Sequence, residues 1–344
     1  MIAVNAVVLV LSLATLPVVQ GTPQAAQGGA GQKAALSAGD LAEAERLTKQ
    51  AITLYGEGKY ADGLEPAERS LELRRKLLSK DDPLVAAALY NLASLHFALK
   101  QYSKAEPLYQ ECLRIYEQAF GPDDPKLCGT MEQLGWARYA SGGASGAEKL
   151  FRRSLEIKEK AFGPNSAEVA LSANNLGRFY EKTGNFSAAL PLYQRALAIM
   201  ESASGPNSNE VATELDRCGC MLLETGRTVE ALELRNRASI IRHDVNVIPN
   251  QPRPADAKTL TGMAIRRVEP VYPPEAKHTR TVGSVMVEVH IDKTGKVTGA
   301  KQICGPDIFS GVSVEAAKKW LFAPTVLEGS PVEVIGTITF NFKM

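Results

Sequence analysis

Runs of one charge are missing from this chain. Its 39 Lys and Arg stand against 38 Asp and Glu, a formal net charge of +1. The two signs are interleaved along the segments, so no nucleic-acid surface is expected. Cysteine is scarce, with five in 344 residues. Five is odd, so at least one stays unpaired within the chain. Three of them fall where sister segments carry apolar or small residues, and they read as buried small side chains. A disulfide framework needs more cysteine, and Cys218-Gly219-Cys220 is a CxC with no second pair to make a metal spacing. Catalytic signatures are missing too: there is no HExxH, GxSxG, phosphate loop or GxGxxG. The four histidines, His96, His243, His278 and His290, are scattered. Catalysis, a cofactor and a metal are therefore not expected.

One long apolar run is present, from Met1 to Val19, and the first charged side chain is Lys33. Val19-Gln20-Gly21 places small residues at a candidate cleavage site. Residues 1–21 thus read as a signal peptide, which leaves a soluble periplasmic protein once cleaved. The second reading is an anchor, residues 1–19, that tethers the protein to the inner membrane. No basic residue precedes the run, and the plainest alternative is a buried helix of a cytosolic domain. Residues 22–39, rich in Gly, Gln and Ala, read as a flexible spacer.

The length suits two domains or an extended array, and self-similarity decides for the array. Gly121-Pro122, Gly163-Pro164 and Gly205-Pro206 recur every 42 residues. Ala105, Ala147, Ala189 and Ala231 keep the same step. So do Leu73, Ile115, Ile157, Ile199 and Ile241. Within a unit, Leu108, Tyr109, Cys112, Leu113 and Tyr116 recur at three- and four-residue steps, which makes one apolar helical face. Gly184 and Gly226 sit where a first helix must end in a left-handed turn, and Gly-Pro stops the second. Each unit is a helical hairpin, and residues 40–244 hold about five.

These columns resemble the tetratricopeptide repeat, in the 42-residue variety of kinesin light chains. Small residues lie in the first helix at Ala93, Gly135, Gly177 and Gly219. The aromatic column of the second helix reads Tyr109, Phe151 and Tyr193, with Arg235 departing. The first unit departs at Gly63 and Ala67, and the last at Cys218, as end units do. The resemblance implies a concave groove lined by first helices, in which amides contact the backbone of an extended peptide or protein segment. The matching positions are Asn91, Gln133, Asn175 and Arg217, with Asn174 beside them. The alternative is an ordinary solvated helix face. His96 shares a column with Arg138, Tyr180 and Leu222, a packing position.

Residues 245–264 lose the helical period and carry Pro249, Pro252 and Pro254, which reads as a semi-extended linker. Beyond it, in residues 265–344, the period is two. Val285, Val287, Val289 and Ile291 alternate with Met286, Glu288 and His290, a half-buried strand. Asp292 to Gly295 reads as a turn with Gly295 at positive φ. A helix is expected over about 311–320, then a last strand in which Val334, Gly336, Ile338, Phe340 and Phe342 share one face. Three strands with a helix on one face make a small α+β unit. The fold class is thus multidomain, an all-α solenoid followed by an α+β domain.

The second domain resembles the C-terminal domain of TonB. The residues that carry this are Tyr272-Pro273-Pro274-Glu275-Ala276, Ile291 to Val297, Glu315 to Pro324 and Gly329 to Val332. Leu321 and Phe309-Ser310-Gly311 depart from the pattern. The resemblance implies capture of an extended N-terminal segment of a TonB-dependent outer-membrane transporter, added as a strand to the sheet edge. The edge residues would be Ile335, Thr337, Thr339 and Asn341, with Tyr272 and Pro273 at the rim. A packing anchor is an equal reading of Tyr272, while Trp320 and Phe322 read as core. In that family an anchor helix with a functional histidine engages ExbB–ExbD; residues 1–19 contain no histidine, and no long proline-rich spacer is present. Two functions follow as expectations: a TonB-like transducer or adaptor, or a periplasmic scaffold that binds peptides without transducing energy.

Overall fold

The computed structural model describes residues 30–242, 253–254, 263–327 and 329–344. The expected signal or anchor segment, residues 22–29 of the spacer and most of the linker lie outside these described residues. Two compact units divide the chain, one up to Ala161 and one from Phe162 onward.

The helical part consists of five hairpins. They are α1 (Ala30–Gly56) with α2 (Leu64–Leu77), α3 (Pro83–Ala98) with α4 (Tyr102–Phe120), α5 (Cys128–Ala140) with α6 (Ala144–Phe162), α7 (Ala167–Lys182) with α8 (Phe186–Ser204), and α9 (Asn209–Glu224) with α10 (Thr228–Arg242). Helix α1 begins at Ala30, inside the stretch expected to be flexible spacer. That stretch includes Ala34-Ala35-Leu36, good helix formers that extend the helix backward from the packed part at Ala44, Leu47 and Ala51.

The 42-residue step recurs in three structural devices. First, Asp82, Asp124, Ser166 and Ser208 each accept a hydrogen bond from a backbone N–H two or three residues on, at 2.8–3.3 Å, and so satisfy an orphan donor where the first helix starts. Second, the positive-φ column holds Gly58, Lys100, Gly142, Gly184 and Gly226, where the first helix turns into the second. Third, Arg153, Arg195 and Arg237 donate to the carbonyls of Pro122, Pro164 and Pro206, clasping each Gly-Pro turn to the second helix that follows it.

The expected core columns are buried. Tyr109, Phe151 and Tyr193 are at most 1% exposed, as are the four alanines from Ala105 to Ala231. The small column explains the aromatic one: a Cβ at Gly135 would lie 2.9 Å from the Phe151 ring, and one at Gly177 3.0 Å from Tyr193. His96 is buried, and its Nδ1 lies 2.7 Å from Gln101 Oε1, the packing role expected of its column.

In the second unit the last two hairpins share a body with the α+β domain. Its main sheet has the order β1 (Arg253–Pro254), β8 (Val334–Phe342), β3 (Gly283–Ile291), β4 (Val297–Cys304). The pairs β3–β4 and β3–β8 are antiparallel, and β1 lies parallel to β8. Short pairs join β2 (Ala264–Arg266) to β5 (Leu321–Phe322) and β6 (Val326–Leu327) to β7 (Ser330–Pro331). Helix α11 (Pro274–His278) follows the entry to the domain, and α12 (Ser310–Lys318) packs on β3 and β4. The core between sheet and helix holds Val285, Val287, Val289, Phe309, Ala317 and Phe340. The β3–β4 turn forms as expected. Asp292 Oδ1 accepts from the N–H groups of Thr294 and Lys296, and Gly295 has φ +87°, where a Cβ would lie 1.9 Å from the Phe322 carbonyl oxygen.

Candidate partner-binding surfaces

Strand β8 is the candidate edge. Its side toward β3 is paired from Val334 to Phe342. On the other side, Arg253 and Pro254 pair with Val334 and Ile335. Beyond Ile335 no strand among the described residues flanks β8 on that side. The four expected edge residues differ in setting. Ile335 is 1% exposed and Thr337 7% exposed, Thr339 is half-buried, and Asn341 is exposed and accepts from Ser284 Oγ at 2.6 Å.

Alternation explains the burial. Val334, Ile338, Phe340 and Phe342 belong to the domain core, so Ile335, Thr337 and Thr339 point to the opposite face. They share it with their partners on β3, His290, Glu288 and Met286. That face is expected to be solvated. Instead α9 packs against β3 and β4, and α10 against β8. Arg235, 2% exposed, pairs with Asp216 and lies 3.5 Å from Glu288. Arg242 pairs with the same Asp216. Burial lowers the pKa of Arg235 to about 10, partly offset by Glu288, so the guanidinium stays charged at neutral pH. Beside this cluster, Cys220 on α9 is disulfide-bonded to Cys304 at the end of β4.

The reading of Arg235 as a mere end-unit departure is thereby sharpened: the layer beyond the last hairpin is a sheet with a carboxylate, not another hairpin. The disulfide joins the two cysteines that lie outside the expectation of packing. Cys112, Cys128 and Cys218 do fit that expectation, being free and buried. Burial pushes the thiols of Cys112 and Cys218 up to about 12. No local signal exposed the Cys220–Cys304 pair, because 84 residues separate them.

Tyr272 is brought to the end of β8 as an anchor. Its ring meets Phe309 at 5.5 Å and Phe342 at 5.8 Å, edge to face, and its hydroxyl donates to the Thr281 carbonyl. Pro273 is buried. Trp320 and Phe322 are core, as expected, and Trp320 Nε1 donates to the Val268 carbonyl at 2.9 Å.

The amide positions on the first helices fall in both units. In the first, Asn91 on α3 and Gln133 on α5 are half-buried. Next to Gln133, Glu132 accepts from Ser154 Oγ at 2.7 Å and Lys158 Nζ at 3.0 Å. In the second, Asn175 and Arg217 are half-buried and Asn174 is 6% exposed. Asn174 Nδ2 and Arg217 Nη1 both donate to Glu214 Oε1, at 2.9 and 2.6 Å. Burial raises the Glu214 pKa, and Arg217 and Asn174 oppose the shift. Asn174 Oδ1 and Glu214 Oε2 are buried and have no hydrogen-bond partner among the described residues. Sequence reasoning missed Glu214, since it shares a column with Ser172, Thr130 and Ala88.

Comparison with known proteins separates the two parts. The pattern of the tetratricopeptide repeat family matches residues 43–118, 84–160 and 168–239, together more than half of the chain. That of the Gram-negative bacterial TonB protein C-terminal domain matches residues 268–344. No curated protein matches. Among solved structures, the nearly identical TPR-like repeats of a protein described as a kinesin light chain of Podosopora anserina align at 19% identity and TM-score 0.54. The alignment covers 58% of this chain and 95% of that one. BtubC (BKLC) from P. vanneervenii aligns at 21% identity and TM-score 0.53, over 67% of this chain and 97% of that one. At such identities the likeness is one of fold.

Proposed function

Because the chain belongs to the tetratricopeptide repeat family and carries a TonB C-terminal domain, we propose that it is an exported adaptor that takes an extended segment of a TonB-dependent outer-membrane transporter as an added strand on β8. The carrying observation is the edge of β8 beyond Ile335, which no strand among the described residues flanks. Strand addition draws most of its free energy from backbone hydrogen bonds, which fits an edge whose Ile335, Thr337 and Thr339 side chains lie on the covered face rather than toward the ligand. Tyr272 then acts by holding the end of β8 through Phe342, not by touching the partner.

The array supplies a second protein-binding surface. Family membership supports it, and the half-buried Asn91, Gln133 and Asn175 carry amides that suit an extended backbone. Export to the periplasm is supported by the apolar run Met1–Val19 and by the Cys220–Cys304 disulfide, a bond that persists in oxidising compartments. Energy transduction through ExbB–ExbD further requires residues 1–19 to remain as an anchor. The alternative is a soluble scaffold without transduction. Packing of the sheet face on α9 and α10 favours it, since the domain is seated on the array.

Two measurements test these readings. Titration of the full chain with transporter N-terminal peptides, followed by backbone amide shifts, is expected to perturb residues 336–342 first. Absence of any shift at about millimolar peptide overturns strand capture. Intact mass of the exported protein decides between the alternatives: loss of residues 1–21 excludes a membrane-energised transducer.

A further inference from the structure

Two features on the covered face of the sheet have no role in strand capture. One is the charged cluster Arg235–Asp216–Arg242 with Glu288. The other is the disulfide, which ties the fourth strand of the sheet to the last hairpin. We propose that the Cys220–Cys304 bond is a redox latch, which holds the face of the sheet bearing Met286, Glu288 and Thr337 shut against α9 and α10 and releases it when a dithiol reduces the bond.

Three observations carry this. The face is of mixed chemistry. Met286 is fully buried and Thr337 nearly so, yet Glu288 sits between them, and its pairing with Arg235 needs both charges to be brought in from water. Such a pair adds little net stability to an interface, because desolvation offsets most of the Coulomb gain. The cross-link therefore bears much of the closure, by keeping the two surfaces at high effective concentration. Second, the two half-cystines differ in exposure: Cys304 is 4% exposed, whereas Cys220 is half-buried and is the side from which a reductant would approach. Third, no competing thiol interferes. Cys218, two residues away on the same helix, is buried and its thiol is pushed up to about 12.

The chemistry balances with a dithiol as the named reductant. One thiolate attacks Cys220 Sγ and the Cys304 thiolate leaves, giving a mixed disulfide. The second thiol of the dithiol then closes on the first and releases the Cys220 thiolate. Two electrons pass to the protein and the dithiol becomes a disulfide. Opening frees the face and also withdraws α10, which packs on β1, from the linker strand paired at the start of β8.

The latch stands apart from strand capture, since it predicts a change of exposure with no partner present. Met286 reports it. Peroxide oxidation of Met286 is followed by peptide mass spectrometry, with Met344 (75% exposed) as the fast reference and Met131 (0%), in the array, as the slow one. Three forms are compared: the oxidised chain, the Cys220→Ser/Cys304→Ser chain, and the chain reduced with dithiothreitol, capped with iodoacetamide and freed of reagents. In the oxidised chain Met286 should be as slow as Met131. In the other two it should accelerate by about tenfold or more while Met131 stays slow, as for a local opening. Met286 remaining slow in both overturns the latch and leaves a permanent staple. Acceleration of Met131 together with Met286 in both also overturns it, because a latch opens without unfolding the array.

Discussion

At the scale of single residues, the left-handed column shows what the repeat demands and where this chain departs from it. Gly58, Gly142, Gly184 and Gly226 occupy the position with φ between +75° and +90°, and Lys100 occupies it with φ +61°. The Lys100 N–H still donates to the Phe97 carbonyl, and that of Gln101 to His96, so the turn is intact and only its backbone conformation is costly. An L-residue with a Cβ pays about 1–2 kcal/mol in this region. Lys100→Gly should therefore raise stability by about 1 kcal/mol, less than the full relief because glycine loses more backbone freedom on folding. Chemical denaturation checks it. A destabilised variant would mean that the Lys100 side chain makes a contact that outweighs the strain. No such contact is found at Gly142 or Gly184, where the same turn forms without a side chain.

Among elements, the informative one is α10. Its aromatic column position holds Arg235, whose aliphatic stem lies over Gly219, where a Cβ would be 3.2 Å from Arg235 Cγ. The stem thus fills the place of the ring, and the guanidinium passes on to Asp216 and Glu288. Arg235→Ala should cost about 3 kcal/mol, because it removes a buried stem and leaves the partly buried Glu288 without its cation and Asp216 with Arg242 alone. In a double-mutant cycle with Glu288→Gln, the coupling should exceed about 0.5 kcal/mol. Additive losses would show the two residues to be neighbours that do not depend on each other. The same element marks the limit of sequence reasoning. Repeats, turn glycines, strand faces and the core roles of Trp320 and Phe322 follow from periods of 42, 3.6 and 2 that lie within one stretch of chain. Arg235 could be read only as a departure, since its partner is 53 residues on, in a domain with a different period. The Cys220–Cys304 pair and the covered face of β8 were hidden for the same reason: alternation distinguishes two faces but does not say what covers the second.

For the molecule as a whole, the compact units do not divide where the composition does. The proline-bearing linker separates array from sheet in sequence, yet α7 to α10 and the α+β domain fall in one unit, cross-linked across 84 residues. Repeat arrays unfold as coupled neighbours, so a cross-link at one end should stabilise the hairpins next to it and fade with distance along the array. The two tryptophans report on this separately, Trp136 from α5 in the first unit and Trp320 from the domain core in the second. Removal of the bond by Cys220→Ser/Cys304→Ser frees a long loop in the unfolded chain, a loss of about 2–5 kcal/mol. Followed in a Trp136→Phe background, the Trp320 transition should move to lower denaturant by that amount. Followed in a Trp320→Phe background, the Trp136 transition should move by less than about 1 kcal/mol, since both ends of the cross-linked loop lie in the second unit and Trp136 lies in the first. Equal shifts at both tryptophans would mean that the array and the domain unfold as a single cooperative body. The disulfide would then stabilise the whole chain, rather than the seat of the sheet on its last hairpin.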